Sequence, residues 1–436
     1  MTQHPVRFIT LNPGHFHAAL VHREMYPDVS PRVHIYAPVG NDLLAHLQKL
    51  VGFNSRPKDP TRWELDVHAG PDYFERFRRE KPGNVVVLAG FNSAKIDAIE
   101  AAVAERLHVL ADKPWILVAR DLPRLANILE TAESKGLVAY DVMTERYEIT
   151  SILQRELVSD EAVFGKIQPG SPGDPGVFME SVHYLKKTVA GSPLRRPAEF
   201  FDVHRQGEGL SDVGTHLVDL VAWILFAGQP VPPEEVCIVN ARRWPTTLSR
   251  ADFQQVTGEP NFPAYLADQL RQEQLPYFCN TQVDYTVHGV HVRLDVRWDF
   301  EAAAGGGDTH LAVFHGSRSR IEVRQGREED FRPELFIFPG SAIDLPRVYA
   351  ALERRIAELQ ATFPGLGVLD LGSHFRVTIP AAFRVGHEAH FAEVTRQFLR
   401  FVLGRDRLPA WERPNMLSKY MVTTRGVALA RDRAVQ

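Results

Sequence analysis

The sequence predicts a doubly wound parallel α/β domain, followed by an α+β domain built on a mostly antiparallel open sheet. Two observations support this fold class. In the first third of the 436-residue chain, short β-like runs alternate with helix-like stretches, as βαβ units require. Beyond about residue 160, longer runs alternate apolar and polar residues, which is typical of antiparallel strands with one solvated face. We expect domains at residues 1–160 and 161–436.

The elements of the first domain follow from the period of its apolar residues. Strands are predicted at 6–11, 32–37, 85–89, 109–111 and 138–143. Between them, helices are predicted at 15–25, 41–50, 71–80, 94–106 and 122–135, and Gly136 follows the last one as a left-handed cap. The polar segment 52–63 contains proline and is expected to be a surface insertion.

The second domain begins after a segment rich in glycine and proline, residues 165–176, which marks a junction. A strand is predicted at 177–187 and an amphipathic helix at 211–226, with Ser211 or Asp212 available as its cap. Residues 283–300 alternate cleanly and are interpreted as one half-buried strand. Further strands at 310–314 and 320–323 and helices at 347–362 and 388–403 complete the prediction.

Composition narrows the class of partner. The formal charge is −4, from 50 basic and 54 acidic side chains without a long block of one sign, so neither a nucleic-acid surface nor a polybasic membrane surface is predicted. No run of about 18 apolar residues predicts a spanning helix, and the first residues lack the pattern of a signal peptide. The two cysteines, Cys237 and Cys279, form no metal or disulfide pattern, which favours a cytoplasmic location.

The stretch "ITLNPGHFHAAL", residues 9–20, lies where a dinucleotide-binding domain carries its phosphate loop. Asn12, Pro13 and Gly14 occupy the turn from strand to helix, but His17 stands where the third glycine of G-x-G-x-x-G would be. The strand at 32–37 ends without a carboxylate for the adenosine ribose. A phosphate loop and an ordinary turn that binds no nucleotide both remain open on this segment alone.

Two later stretches favour a hydride-transfer enzyme. Asp112, Lys113 and Pro114 follow the strand at 109–111, at the sheet edge where open α/β proteins bind ligands. In "GEGLSDVGTHLVDLVAWIL", residues 207–225, Asp212 and His216 are four apart and share one helix face. A histidine beside a carboxylate is suited to general acid–base chemistry near neutral pH, although surface Asp–His pairs are also common.

These motifs together resemble the Gfo/Idh/MocA family, that of glucose–fructose oxidoreductase and inositol dehydrogenase. Its E-K-P motif corresponds to residues 112–114, with aspartate in place of glutamate. Its second-domain helix, with a glycine-rich start followed by D-x-G-x-H-x-x-D, is matched at Gly207, Gly209, Asp212, Gly214, His216 and Asp219. "NPGHFHAALV", "MTERYEIT" and "VGHEAHF" are similar to a longer branch that ends in an oxidoreductase C-terminal domain and includes glucoside 3-dehydrogenases. The resemblance implies a Rossmann domain, a nicotinamide cofactor and a sugar or glycoside substrate, with C3 of a glucoside as one position of oxidation.

The resemblance also implies where the site residues lie. The expected cofactor-binding residues are Asn12, Pro13, Gly14, His15, Phe16, His17, Ala37, Gly90, Phe91, Asn92, Asp112, Lys113, Pro114 and Arg146. The expected substrate-binding residues are Lys113, Asp212 and His216 and, from their positions on the first strand and just before the glycines of the second domain, His183 and Arg205. For the last two, an ordinary polar residue of the sheet surface is an equal alternative. The expected catalytic residues are Lys113, Asp212 and His216. NAD is favoured because no basic residue follows 32–37 to hold a 2′-phosphate, and NADP stays an alternative.

The sequence leaves the base of the reaction open. His216 is one hypothesis, with Asp212 positioning the substrate hydroxyl or tuning the imidazole. Lys113 is the other, because a positive nicotinamide nearby would lower the pKa of its ammonium. Besides a sugar dehydrogenase, two readings stay open: a redox-neutral glycosidase with tightly bound NAD, and a non-catalytic sugar or nucleotide sensor.

The sequence predicts neither a metal site nor a macromolecular partner other than further copies of the chain. "GHEAHF", residues 386–391, resembles a zinc motif, but His387 and His390 are three apart rather than four, so a helix start is expected there and no metal. The expected partner is a small carbohydrate, with no nucleic acid and no membrane. Family resemblance further implies a homo-oligomer, a dimer or tetramer, formed through the C-terminal sheet.

Overall fold

The computed structural model describes residues 4–189 and 192–433. The chain forms two compact units. The first comprises Met1–Tyr147 and Gly386–Arg413, and the second comprises Glu148–Val385 and Pro414–Gln436. This division differs from the predicted boundary at residue 160 in one important respect, because a segment from near the C-terminus returns to the first unit.

The first unit contains a six-stranded sheet in the order β3-β2-β1-β4-β5-β6, with every pair parallel. The order reverses between β1 and β4, which is the doubly wound arrangement expected from the sequence. The strands are β1 (Phe8–Leu11), β2 (Arg32–Ala37), β3 (Glu64–Ala69), β4 (Val85–Leu88), β5 (His108–Asp112) and β6 (Ala139–Val142).

Within the described residues, the α-helices of the first unit are α1 (His17–Leu20), α2 (Asn41–Ser55), α3 (Tyr73–Glu80), α4 (Lys95–Ala104), α5 (Leu122–Ser134) and α11 (His387–Val402). The last joins the core of the parallel sheet through Phe391, Val394 and Phe398, which are almost fully buried. The predicted start of a helix near residue 387 is thereby confirmed.

Two expectations for the first unit were wrong. The helix predicted at 15–25 is only one turn long, His17–Leu20, because the chain then goes over to tighter i→i+3 bonds, from the His22 and Arg23 N–H groups to the Ala19 and Leu20 carbonyls. Strand β3 was missed. It lies at the sheet edge and is only partly buried, so its residues lack the apolar run by which the other strands were found.

The second unit is built on a nine-stranded sheet in the order β10-β11-β12-β7-β13-β14-β15-β17-β16. Only β12 and β7 pair in parallel; the other neighbours are antiparallel. Its strands are β7 (Val177–Lys186), β10 (Val236–Leu248), β11 (Leu275–Val287), β12 (Val290–Glu301), β13 (Thr309–His315), β14 (Ser319–Gln325), β15 (Glu334–Pro339), β16 (Gly367–Asp370) and β17 (Phe375–Thr378), and a separate small pair is β8 (Thr188–Val189) with β9 (Ser192–Pro193).

The helices assigned to the second unit are α6 (Ile149–Val158), α7 (Val203–Gln206), α8 (Val213–Leu225), α9 (Arg250–Thr257), α10 (Leu345–Leu359) and α12 (Glu412–Arg433), the last of which starts two residues before the unit boundary. The single strand predicted at 283–300 is in fact a hairpin. Its turn, His288-Gly289, has positive φ at both residues, as a tight hairpin turn requires.

Helix α12, the longest helix among the described residues, was not predicted. Apolar Met416, Tyr420 and Val427 are buried, and so are polar Ser418 and Thr423. Because polar and apolar positions alike face the protein interior, the sequence shows no apolar stripe at helical period.

Candidate active site

The turn after β1 lies at the crossover of the parallel sheet, where the strand order reverses. The N–H of Asn12 donates to the Tyr36 carbonyl at the end of β2, at 2.8 Å. The N–H of Gly14 donates to the Ala89 carbonyl after β4, at 2.9 Å. Asn12 has φ +45°, a conformation that asparagine tolerates better than most residues. The turn is thus fixed to both neighbouring strands, at the edge where this fold binds dinucleotides.

Two glycines let the turn after β1 and the loop after β4 approach closely. Gly90 has φ +82°, and a Cβ there would lie 2.8 Å from the N atom of His15. A Cβ on Gly14 would overlap the ring of Phe91. Neither position can therefore hold a larger residue without moving the other segment.

Beside these glycines lies an open cleft of about 210 Å³. Its wall is largely apolar and aromatic, with few charged groups. The lining residues are Leu11, Asn12, Tyr73, Phe74, Leu88, Ala89, Gly90, Phe91, Ala94, Lys95, Asp97 and Ala98. A flat aromatic ring, such as a base of a dinucleotide, fits between apolar walls of this kind. The residues present are therefore compatible with a dinucleotide.

Asp112 and Lys95 form a buried ion pair behind the turn. The Lys95 ammonium donates to Asp112 Oδ1, to the Asp112 carbonyl at 2.8 Å and to Asn92 Oδ1 at 2.8 Å. Asp112 Oδ1 also accepts from the Gly90 N–H at 3.2 Å. Burial lowers the pKa of Lys95, although Asp112 opposes the shift. Lys95 was not among the predicted site residues, because its position inside a helical pattern gave no signal.

Two imidazoles reach the other oxygen of the same carboxylate. His17 Nδ1 lies 3.1 Å and His15 Nδ1 3.5 Å from Asp112 Oδ2. Burial alone would raise the pKa of the Asp112 carboxyl, but the Lys95 ammonium and the two neighbouring imidazoles hold it well below its usual range. Burial, followed by the charge of His15, keeps the pKa of His17 well below its ordinary value.

The remaining predicted cofactor residues of this unit lie around the same edge. Lys113 and Pro114 follow β5, are buried, and are joined by a cis peptide bond. Asn92 is held by Lys95. Ala37 ends β2, and its carbonyl accepts from the Gly70 N–H at 3.0 Å.

Arg146 is buried, and its Nη1 donates to both carboxylate oxygens of Glu412, at 2.8 and 3.1 Å. Its guanidinium also lies over the Trp411 ring, 5.4 Å from the centroid. Sequence reasoning gave no role to Glu412 or Trp411, because they are more than 260 positions away from Arg146. The assignment of Arg146 to the cofactor stays a prediction.

The second unit holds the other predicted catalytic residues, Asp212 and His216, at the start of α8. Asp212, one of the two predicted cap residues, occupies the N-cap position of the helix, although its side chain makes no cap hydrogen bond. Gly209 lies against β11, where a Cβ would overlap the Cys279 carbonyl. Asp219, three residues beyond His216, is buried and paired with Lys419 at 2.9 Å. The Asp219 carboxylate therefore forms a buried ion pair inside the second unit.

His183, a predicted substrate residue on β7, belongs to a polar chain. Its Nε2 lies 2.8 Å from Ser181 Oγ, and its Nδ1 lies 3.2 Å from Asp308 Oδ2. The ring stacks on Trp298, with centroids 4.7 Å apart. Lys187 donates to Asp308 Oδ2 at 2.6 Å. Burial would raise the pKa of Asp308, but the hydrogen bonds from His183 and Lys187 lower it to about 2.

Two arginines of the second unit, Arg196 and Arg205, bear on the prediction of substrate-binding residues. Arg196, which was not predicted, lies over Trp298 at 4.9 Å and donates to the Tyr184 and Leu185 carbonyls. Its pKa is lowered by burial, while the charges of acidic neighbours, Asp212 among them, oppose that shift. Arg205, which was predicted, is half exposed and 3.3 Å from Asp202.

The structure brings the predicted residues together in two groups. The first unit gathers the turn at 12–17, the loop at 90–92 and residues 112–114 at one edge of its sheet. The second unit holds Asp212 and His216 on α8 and His183 on β7. Lys113 belongs to the first group and the other two predicted catalytic residues to the second.

Comparison with known proteins identifies the family. The family model described as "Putative oxidoreductase C terminal domain" matches residues 153–431, well over half of the chain. A solved putative oxidoreductase from Parabacteroides merdae is 41% identical, over 99% of this chain and 98% of that one, with a TM-score of 0.95. The chain belongs to the Gfo/Idh/MocA oxidoreductases.

More distant members of this fold have been solved with nucleotides. GenD2 from gentamicin A biosynthesis, in complex with NAD, is 14% identical over 99% of this chain and 96% of that one, with a TM-score of 0.60. KijD10, a 3-ketoreductase from Actinomadura kijaniata in complex with NADP and TDP-benzene, is 14% identical over 98% and 97%, with a TM-score of 0.55. At such identities the likeness shows the fold alone.

No curated protein matches this Gfo/Idh/MocA chain. Within residues 4–189 and 192–433, none of its helices has both the length and the apolar character needed to cross a bilayer. Two of the positions at which this oxidoreductase departs from the family motifs are His17 and Asp112. Their side chains are in direct contact, at 3.1 Å.

Proposed function

We propose that this protein is a nicotinamide-dependent oxidoreductase that acts on a secondary hydroxyl of a sugar or glycoside. The observation that supports this most directly is the crossover edge of the parallel sheet. There Gly14 and Gly90 bring two loops together beside an open cleft, and Lys113 follows the adjacent strand. Structural neighbours solved with NAD or NADP support the choice of cofactor class.

The cofactor would be held by the turn at 12–17, by the loop at 90–92 and by residues 112–114. When bound, it would supply a nicotinamide ring that accepts or returns a hydride. The protein's own part is to position the substrate hydroxyl and to move one proton. NAD is favoured over NADP because Pro38, Val39 and Gly40, which follow β2, offer no cation for a 2′-phosphate.

Two groups are candidates for moving that proton. His216, with Asp212 close by on the same segment, would take the hydroxyl proton as a general base. Lys113 would hydrogen-bond the same oxygen or act as the base itself. The buried pair of Asp112 and Lys95 helps to position Lys113, because it fixes the backbone immediately before that residue.

The second unit offers polar groups suited to a sugar. His183 and Arg196 lie against the buried Trp298 ring, and Asp308 supplies a carboxylate held ionised at neutral pH. Charged and polar groups of this kind can bind the hydroxyls of a sugar. We propose that His183 and Arg205 contribute to the substrate side, with Arg196 as a further candidate.

The test is turnover of a panel of glucosides and free sugars with NAD and with NADP. Reduced cofactor is followed by absorbance and the sugar product is identified separately. We expect His216→Asn to lower kcat by about 100-fold or more while the Kd for the cofactor stays within a few fold. His288→Asn, at an exposed hairpin turn, is the matched control. Normal turnover by His216→Asn would exclude the imidazole as base, and loss of cofactor affinity in both variants would point to misfolding.

A second candidate function is redox-neutral cleavage of a glycosidic bond. Oxidation at C3 makes the C2 proton acidic, a base removes it, and the aglycone departs from C1; water then adds and the hydride returns. This sequence needs a further base. The His183 imidazole, hydrogen-bonded to Asp308, favours this candidate because it can fill that role. Release of aglycone without accumulation of reduced cofactor would support cleavage, and a stable keto sugar with stoichiometric reduced cofactor would support the dehydrogenase.

A further inference from the structure

Three potential metal ligands converge at the turn after β1. The Nδ1 atoms of His15 and His17 and Oδ2 of Asp112 all lie within 4.8 Å of one another. The two imidazole-to-carboxylate distances are 3.5 and 3.1 Å. A zinc-class ion binds nitrogen and oxygen ligands at about 2.0–2.2 Å, which puts neighbouring ligand atoms about 3–3.5 Å apart. The spacing measured here is close to that of ligands around one ion.

The surrounding structure holds these ligands in place. Asp112 Oδ1 is engaged by Lys95 and by the Gly90 N–H, so Oδ2 is the oxygen turned to the imidazoles. The His17 ring packs against Phe391 of α11, with centroids 4.6 Å apart, and against His15 at 4.0 Å. Ligands oriented by outer contacts of this kind are typical of metal sites.

His15 adds an observation that a simple hydrogen-bonded turn does not explain. Its Nδ1 is buried, yet it makes no hydrogen bond of good geometry to any atom in the described part of the chain. Buried ring nitrogens normally have a partner. The atom points toward the same carboxylate oxygen that His17 contacts. A shared cation would engage both nitrogens and the oxygen at once.

We propose that His15, His17 and Asp112 bind one divalent transition-metal ion of the zinc class. Two imidazoles and a single carboxylate oxygen favour zinc, cobalt or nickel over magnesium and calcium, which require more oxygen ligands. Lys95 engages the other oxygen of the carboxylate, so Asp112 offers one oxygen to the ion. Three protein ligands leave at least one coordination position for water or an anionic oxygen.

This site is distinct from the zinc-like pattern at 386–391, and the proposal departs from the expectation that the chain binds no metal. His387 is engaged elsewhere, since its Nε2 lies 3.1 Å from Thr144 Oγ1. The proposal gives a role to two departures from the family motifs, because the histidine at the third-glycine position and the aspartate of the E-K-P-type motif are two of the three ligands.

The test is metal binding by the full chain without cofactor or substrate. The protein is stripped with a chelator, dialysed against cobalt(II) or zinc(II), and metal is counted per chain by mass spectrometry. Cobalt is also followed by its visible absorption. We expect one ion per chain, and at least about tenfold weaker binding in His15→Asn and in His17→Asn. His288→Asn, an exposed histidine of the second unit, should bind as the unaltered chain does.

His15 is the more informative position, because its side chain is 36% exposed and its replacement leaves the core intact. Circular dichroism shows whether each variant is folded. Less than one ion per chain at micromolar metal would overturn the proposal, and so would equal affinity in folded His15→Asn and in the unaltered chain. Because no cofactor takes part, these outcomes leave the proposed oxidoreductase function untouched.

Discussion

Replacing Lys95 by methionine tests the buried pair behind the cofactor turn. The Lys95 side chain is 1% exposed, and its ammonium donates to Asp112 Oδ1, the Asp112 carbonyl and Asn92 Oδ1. Methionine fills similar space but leaves these three acceptors without their shared donor. Breaking a buried ion pair by removing one partner costs about 3–5 kcal/mol, since the remaining charge stays buried.

The loss of stability should be confined to the first unit, and amide hydrogen exchange measures stability in that unit separately. At about 1.4 kcal/mol for each factor of ten, a loss of 3 kcal/mol speeds exchange of the slowest amides in β1, β4 and β5 by about 100-fold. Lys81→Met is the matched control, because Lys81 and Glu105 form an exposed pair at 2.9 Å and such pairs contribute little. We expect less than a tenfold change in the control.

The reasoning would be refuted if folded Lys95→Met exchanged as slowly as the control. That result would mean that Gly90 and the two imidazoles alone stabilise the carboxylate. If exchange were slower in Lys95→Met than in the unaltered chain, the desolvation penalty of the buried pair would exceed its electrostatic attraction.

Three further predictions follow from single positions. Gly90→Ala, at φ +82° beside Gly14, should weaken cofactor binding by calorimetry at least about tenfold, whereas Gly228→Ala, at φ +76° in open space, should cost only stability. The pKa of Asp308 is about 2 in the folded chain and about 3.9 when unfolded. The contribution of its carboxylate to the free energy of unfolding is therefore present at neutral pH and is lost as the pH falls from about 4 to 2. Asp308→Asn should therefore lower the unfolding free energy by about 2 kcal/mol at pH 7 and by much less at pH 2, measured in urea. Phe391→Ala, which removes a fully buried ring, should cost about 3–5 kcal/mol and destabilise the parallel sheet, measured by exchange in β6; unchanged exchange there would contradict the assignment of α11 to the first unit's core.

Elements with a strong local period were predicted closely. Strand β2 has the predicted bounds, and α5 differs from its prediction by one residue at its C-terminus. The buried positions of both elements are mostly apolar. Elements without such a pattern were missed: β3 is an edge strand of mixed polarity, and α12 is buried at polar and apolar positions alike. An apolar pattern therefore identifies elements whose buried positions are apolar, and it fails where polar residues share those positions or where little of the element is buried.

The turn at 12–17 shows the same limit for the site. The sequence located it between strand and helix and showed that one glycine of the fingerprint was replaced by His17. It could not show what the imidazole does, because Asp112 is 95 positions away along the chain. Lys95 and Glu412 were missed for the same reason, since each is defined by a partner that only the folded chain brings near.

The sequence by itself determined the fold class of both halves, the position of the crossover turn and the family motifs. These depend on residues close together in the chain, where spacing and period carry the information. Tertiary structure alone decided that residues 386–413 complete the first unit and that His15, His17 and Asp112 converge on one point. Such contacts arise from packing between distant segments, and no local pattern encodes which segments will meet.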